Sequence, residues 1–238
     1  MSNIGYTTLS RQSGLLREME TVANNIANIS TNGYRRQGLV FSEYVQAMGP
    51  GVPSLSMGHA NVRRIDLAQG ALSQTNGTFD FAIEGEGFFL VETADGQQLT
   101  RAGSFTPNAE GDLVAADGAR LLDGGGAPIF IPPNAQSISL AADGTLSADG
   151  TPLNQIGLYS VEDPTDLQRR NAARYSTDQE LLPVENSVIL QGFLESSNVD
   201  PVSEIARMIQ VQRAYELGQK FLEKEDERVR SIMQTLGK

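Results

Sequence analysis

The sequence predicts an α+β fold in which paired, coiled-coil-like N- and C-terminal helices flank an inserted antiparallel β-rich domain. Three observations carry this expectation. An apolar stripe at helical spacing stands near the start, and a longer one closes the chain. Between them the sequence is punctuated by turn-forming pairs, and residues 77–150 hold 12 of the 24 glycines. The expected partition is an N-terminal helix at 1–35, a connector at 36–74, a β-rich domain at 75–190 and a C-terminal helix at 191–238 that packs with the first.

In the N-terminal segment Leu15, Met19, Val22, Ile26 and Ile29 alternate at four and three residues, which places them on one face of a helix. Ser30-Thr31-Asn32-Gly33 reads as its end, with Gly33 as the left-handed closing residue. So few turns of seam do not hold a helix alone. Asn24, Asn25, Asn28 and Asn32 crowd this segment, although asparagine weakens a helix by competing for backbone hydrogen bonds. Their density predicts hydrogen bonding between helices or subunits that fixes register, as a buried Asn does in a coiled coil.

At the other end Ile205, Met208, Gln212, Tyr215, Gln219, Leu222, Asp226, Val229, Met233 and Leu236 repeat at three and four residues, a heptad seam with polar interruptions. Asp200 is the expected cap, Pro201 the first helical residue and Gly237 the stop. Residues 36–74, with Gly49-Pro50-Gly51 and Pro53, read as a connector with little regular structure. From 75 onward, short apolar runs alternate with Asp95-Gly96, Glu110-Gly111, Asp117-Gly118, Asp143-Gly144 and Asp149-Gly150, the punctuation of hairpins. The runs are Phe88-Phe89-Leu90-Val91, Leu113-Val114, Ile129-Phe130-Ile131, Ile138-Ser139-Leu140 and Ile156-Gly157-Leu158-Tyr159.

Charge separates the ends from the middle. The whole chain carries a net −11. Residues 1–36 and 201–238 together sum to +3, and residues 37–200 to −14. The acidic balance argues against nucleic acid as a partner, because affinity for phosphates comes from lysine and arginine. The near-neutral ends are where copies can associate without repulsion. There is no cysteine, hence neither a disulfide nor a thiolate metal site. No apolar run approaches the length of a membrane span, and the first 30 residues lack the continuous apolar stretch of a signal peptide.

Catalytic, cofactor and metal chemistry find no support. Gly85-Glu86-Gly87 lacks the third glycine of a dinucleotide loop and is followed by a β run. Asp143 and Asp149 lack the alternating oxygens of a calcium loop and read as two turns. His59 is the only histidine and stands in the connector without a nucleophile motif. Asn76-Gly77-Thr78 reads as a turn. No catalytic, cofactor-binding or metal residue is therefore assigned.

Four stretches resemble the bacterial flagellar axial proteins, the family of rod, hook and hook-associated subunits. They are 22–36, with Ala23-Asn24-Asn25-Ile26-Ala27-Asn28 and Thr31-Asn32-Gly33-Tyr34-Arg35; 69–89, ending in Gly85-Glu86-Gly87-Phe88-Phe89; 100–114; and Gly192-Phe193-Leu194-Glu195-Ser196-Ser197-Asn198-Val199-Asp200 with 208–216. The short length and the lack of an extra segment after the first helix resemble the proximal rod type, with the distal rod and hook proteins as the alternative. The resemblance implies a structural, non-enzymatic subunit that self-assembles through its terminal helices into a torque-transmitting helical tube. It implies export through the flagellar type III apparatus without a cleaved signal peptide, and a final place in the periplasmic rod of the basal body. Partners would be other copies, adjoining rod proteins and surrounding ring proteins. The expected assembly interface is Leu15, Met19, Val22, Asn24, Asn25, Ile26, Asn28, Ile29, Ile205, Met208, Ile209, Gln212, Tyr215, Leu222 and Val229. A rival reading makes the β domain a carbohydrate or adhesive binding module, but aromatics are only 6% with no Trp to supply a stacking platform.

Overall fold

The computed structural model describes residues 3–46, 55–184 and 186–236. Helix α1 spans Asn3–Ala27 and helix α2 spans Pro201–Leu236, with β-structure between them. The chain divides into two compact units. Met1–Ala27, Gln37–Arg64 and Asp200–Lys238 form a helical unit, and Asn28–Arg36 with Ile65–Val199 form a β body.

In the helical unit, α1 packs along α2. α1 lies within the expected 1–35 and includes Thr7 to Gly14, ahead of the apolar stripe that opens at Leu15, although few of these residues are strongly apolar. α2 starts as its sequence reads. The Asp200 carboxylate accepts from Ser203 N at 3.2 Å and from Val202 N at 3.4 Å, and Pro201 occupies the first helical position. At 36 residues α2 is about 54 Å long. The connector expected at 36–74 is a correction: strands β1 (Gln37–Gln46) and β2 (Leu55–Ile65) pair as a two-stranded sheet. The Gly/Pro cluster that suggested irregular chain falls at the break between these strands. It lies outside the described residues, as does Gly237.

The body is built from antiparallel pairs. Its largest sheet has nine strands, with Phe88–Thr93 near the middle between Gly96–Thr100 and Arg120–Leu121. Ile138–Leu140, Thr145–Ala148 and Thr151–Gln155 form a second sheet. Two short pairs complete the body: Val188–Gln191 against Phe81–Glu84, and Phe193–Glu195 against Leu72–Gln74. The unbroken run Phe88-Phe89-Leu90-Val91 has a physical explanation. Successive residues of a strand face opposite sides, so Phe89 and Val91 enter a core with Phe81, Phe105 and Leu121, whereas Phe88 and Leu90 enter a second core with Leu99, Leu122 and Tyr175. This strand is buried on both faces. The run Ile129–Ile131 forms no strand of its own; Phe130 makes a single bridge to Asp112 while Ile129 fills the first core.

The turns set aside as chemistry keep that reading. Asp143 accepts from Thr145 N at 2.9 Å and closes its own turn, whereas Asp149 accepts from Ser137 N at 2.8 Å and pins the chain twelve residues earlier. Gly85-Glu86-Gly87 joins Phe81–Glu84 to Phe88–Thr93. Asp80 N donates to Gly77 O at 3.2 Å in the turn after Asn76. His59 lies on β2. Among the described residues no helix is long and apolar enough to cross a membrane.

Candidate functional site

The two helices supply the candidate site, and three side-chain contacts fix how they run. Gln12 Nε2 donates to Tyr215 O at 3.0 Å, Arg207 Nε donates to Glu18 Oε1 at 2.6 Å, and Asn25 Nδ2 donates to Glu204 Oε2 at 3.1 Å. As the α1 number rises the α2 number falls, so the helices are antiparallel. Asn25 does more: its Nδ2 donates to Gln37 O at 2.8 Å and its Oδ1 accepts from Gln37 N at 3.0 Å, which ties α1, β1 and α2 together. A buried amide with donor and acceptor both used is a strong register mark, since any shift strands polar groups away from water.

The face of α2 turned inward differs from the expected seam. Glu204 and Val211 are buried, and Met208, Tyr215, Gly218, Leu222 and Glu225 are half-buried, again at alternating four and three residues. Met208, Tyr215 and Leu222 are common to both patterns. The intervening positions sit one residue earlier than expected, at Glu204, Val211 and Gly218 instead of Ile205, Gln212 and Gln219. Ile205 is 51% exposed, whereas Val211 is 3% exposed. Two local causes explain the difference. Glu204 is acceptable inside because Asn25 donates to it. Gly218 leaves room for the Gln12 side chain, whose Nε2 would stand 2.2 Å from a Cβ there. A search for apolar letters passes over both residues. An acid and a glycine at heptad spacing from Val211 were the available signal.

The remaining expected residues divide between inside and outside. On α1, Val22 and Asn25 are buried, Leu15, Met19 and Ile26 half-buried, and Asn24 exposed. Asn28 and Ile29 are half-buried and belong to the turn after the helix, where the Thr31 hydroxyl donates to Asn28 Oδ1 at 3.1 Å. On α2, Ile205, Ile209, Gln212 and Val229 are exposed.

The inward pattern of α2 continues past the first described residue of α1. In the antiparallel register set by Gln12 and Tyr215, Asn3 falls opposite about residue 224. Continuing the spacing from Glu225 reaches Val229, Ile232 and Leu236. Val229 is 40% and Ile232 45% exposed, and every residue of 226–235 is exposed. About 18 Å of α2 thus extends past the first described residue of α1.

Comparison with known proteins bears on the same segments. Models described as flagella basal body rod protein, flagellar hook protein FlgE/F/G D1 domain, and flagellar basal body rod FlgEFG protein C-terminal match residues 6–35, 82–148 and 190–235. The chain is similar to the flagellar basal-body rod protein FlgF of Caulobacter vibrioides, at 38% identity over 100% of this chain and 99% of that one. The chain belongs to the flagellar basal-body rod protein family. It is also similar to FlgF of Mesorhizobium japonicum, at 37% identity over 89% and 88% of the two chains, and to the rod protein FlgG of Bacillus subtilis, at 30% over 96% and 97%. This is a family of structural, non-enzymatic subunits. The first and last matched segments cover most of α1 and nearly all of α2, so the antiparallel pair lies within the family's shared parts.

Proposed function

We propose that this chain is a structural subunit of the flagellar rod, of the proximal FlgF type, and that copies join through their terminal helices in a coiled-coil-like manner to build a torque-transmitting tube. One observation supports this most directly: the inward-facing pattern of α2 continues through Val229 and Ile232, past the first described residue of α1, as an apolar strip in the register of an existing helix pair. A helix of a second copy suits that strip, because it would extend a packing already made within the chain. Ile205 and Ile209, exposed on another side of α2, offer a different patch. Joining two unlike patches by a repeated rotation that does not close gives an open helical stack rather than a ring. Adjoining rod proteins are the expected partners above and below, with ring proteins as a surrounding bushing, and the periplasmic rod, reached by type III export without signal cleavage, as the location. Relatives named FlgG support the distal rod as the second reading.

The test is a double substitution, Val229→Asp with Ile232→Asp. Both positions are exposed, so the monomer should keep its helix content and melting temperature. Cells carrying it should assemble no rod beyond this subunit and should not swim. Normal motility would remove the strip from the interface.

A further inference from the structure

The chain leaves the body at four places, at the two ends of Asn28–Arg36 and of Ile65–Val199. Inside the body, one buried polar cluster ties the segments at these exits together. At its centre is Glu195, on the strand Phe193–Glu195, which is wholly buried. One carboxylate oxygen forms an ion pair with Arg35 Nη1 at 2.5 Å and accepts from Gly70 N at 2.8 Å, and the other accepts from Arg101 Nη1 at 3.1 Å. The main-chain oxygen of Glu195 accepts from Gly33 N at 2.7 Å. Asn198 adds a second tie: its Oδ1 accepts from Arg36 N at 2.6 Å, and its Nδ2 donates to Asp66 O at 3.0 Å and Ala68 O at 2.8 Å. Arg169 covers the cluster, with its guanidinium 4.3 Å above the Tyr34 ring and a hydrogen bond to Arg35 O.

Two features separate this cluster from ordinary core packing. It sets two guanidiniums against one carboxylate, with none of the three side chains more than 4% exposed. Burial pulls Arg101 down to about 10 despite the opposing pull of Glu195. Such an arrangement is a poor source of stability but can specify one geometry, because each charge is tolerated only where its partner stands. Moreover, neither apolar core of the body includes any residue of 28–36 or 193–199. The cluster meets the second core only at its margin, where Arg101 lies over the Phe88 ring and Arg169 over the Tyr175 ring. The cluster, whose partners lie up to 160 positions apart, cannot form before its last strand arrives.

We infer that Glu195 closes an exit clamp, a lock on residues 28–36 that forms after the rest of the body and only once the strand Phe193–Glu195 has joined it. The segments that lead out of α1 and into α2 acquire fixed positions together, and last. The terminal helices therefore gain anchored starting points only from a chain delivered through residue 195. The inference goes beyond the rod reading and does not depend on assembly.

Two measurements on the full-length monomer test it. In native-state hydrogen exchange, the amides of Gly33, Arg36, Asp66 and Gly70 should open as one group, with one denaturant dependence, at least tenfold more often than those of Phe89 and Leu99. Separate opening, or opening only with global unfolding, overturns the clamp. In the second, Glu195→Gln keeps the shape but removes the charge. Trypsin should cut after Arg35 or Arg36 at least tenfold faster in this variant, while the amides of Phe89 and Leu99 stay at least tenfold better protected than those of Gly33 and Arg36. A folded variant with unchanged cleavage also overturns it. Should the variant not fold, the exchange experiment on the unaltered chain decides alone.

Discussion

Gly33 shows how one residue answers two demands. Its φ of +69° suits glycine, and a Cβ would stand 2.3 Å from Ala102 N and from the Arg101 carbonyl carbon, both main-chain atoms that cannot step aside. Gly33→Ala should therefore lower stability by more than about 1 kcal/mol, as read from denaturant unfolding. An unchanged midpoint would mean that the body has room the structure does not have. Glu195→Gln should cost more, about 3–5 kcal/mol, because it leaves buried guanidinium charge unpaired. Asp200 gives a pH signature. Hydrogen bonds from the Ser203 hydroxyl and backbone hold its carboxyl below the ordinary range. A carboxylate lowered on folding contributes stability above its unfolded pKa, about 3.9, and loses it as pH falls through the lower folded value. Asp200→Asn keeps the cap without the charge. Below about pH 4 the native helix signal should fall more steeply than that of the variant, and identical acid limbs would clear Asp200 of any part.

At the scale of the element, the register of α2 is the feature most open to test. Two neighbouring residues separate the observed inward face from the one expected from apolar letters. Val211→Asp puts a charge into a side chain only 3% exposed and should destabilise the helical unit by several kcal/mol. Gln212→Asp, on the exposed side, should change stability by about 0.5 kcal/mol or less. Thermal melts followed by helical circular dichroism distinguish them, and equal effects would mean the helix is turned differently. The N-terminal helix was legible within 1–35, but the apolar stripe that marked it begins only at Leu15. Residues before Leu15 earn their helical turns by packing along α2, and that contribution is invisible in a local window. Asn25 takes up the role expected of the asparagines, its amide meeting β1 and α2 at once.

For the molecule as a whole, the division between helical unit and body does not fall where the helix pattern ends. Tyr34 and Arg35 are buried in the body, so a protease that removes the N-terminal helix should stop near residue 28 and not near 35. After mild digestion, mass spectrometry should find a core beginning close to Asn28 and ending near Val199. A stable core that starts after Arg36 would show that residues 28–36 are not held in the body. Charge follows a related division, with −14 on residues 37–200 and +3 on the two ends together. Self-repulsion between acidic bodies is screened by salt, which reduces interactions beyond about 10 Å at 0.1 M. Polymerisation of the purified chain should accordingly be faster at 0.15 M than at 0.01 M ionic strength. The reverse order in light scattering would point to ion pairs between copies as the driving contact.

The sequence by itself determined the order of elements, because turn pairs and helical stripes are local signals. It set the Asp200-Pro201 start of α2, whose donors and acceptors lie within three residues. It placed Phe88–Val91 in the body core, because an unbroken apolar run is costly to leave in water. Family membership was also legible, from motifs near both ends of the chain. Tertiary structure alone decided which face of α2 turns inward, because burying Glu204 depends on Asn25, 179 positions away, and the close approach at Gly218 depends on Gln12. It likewise decided that Arg35, Arg101 and Glu195 meet. A charged residue reads as solvated until the fold supplies its counter-charge, and no spacing along the chain records that encounter.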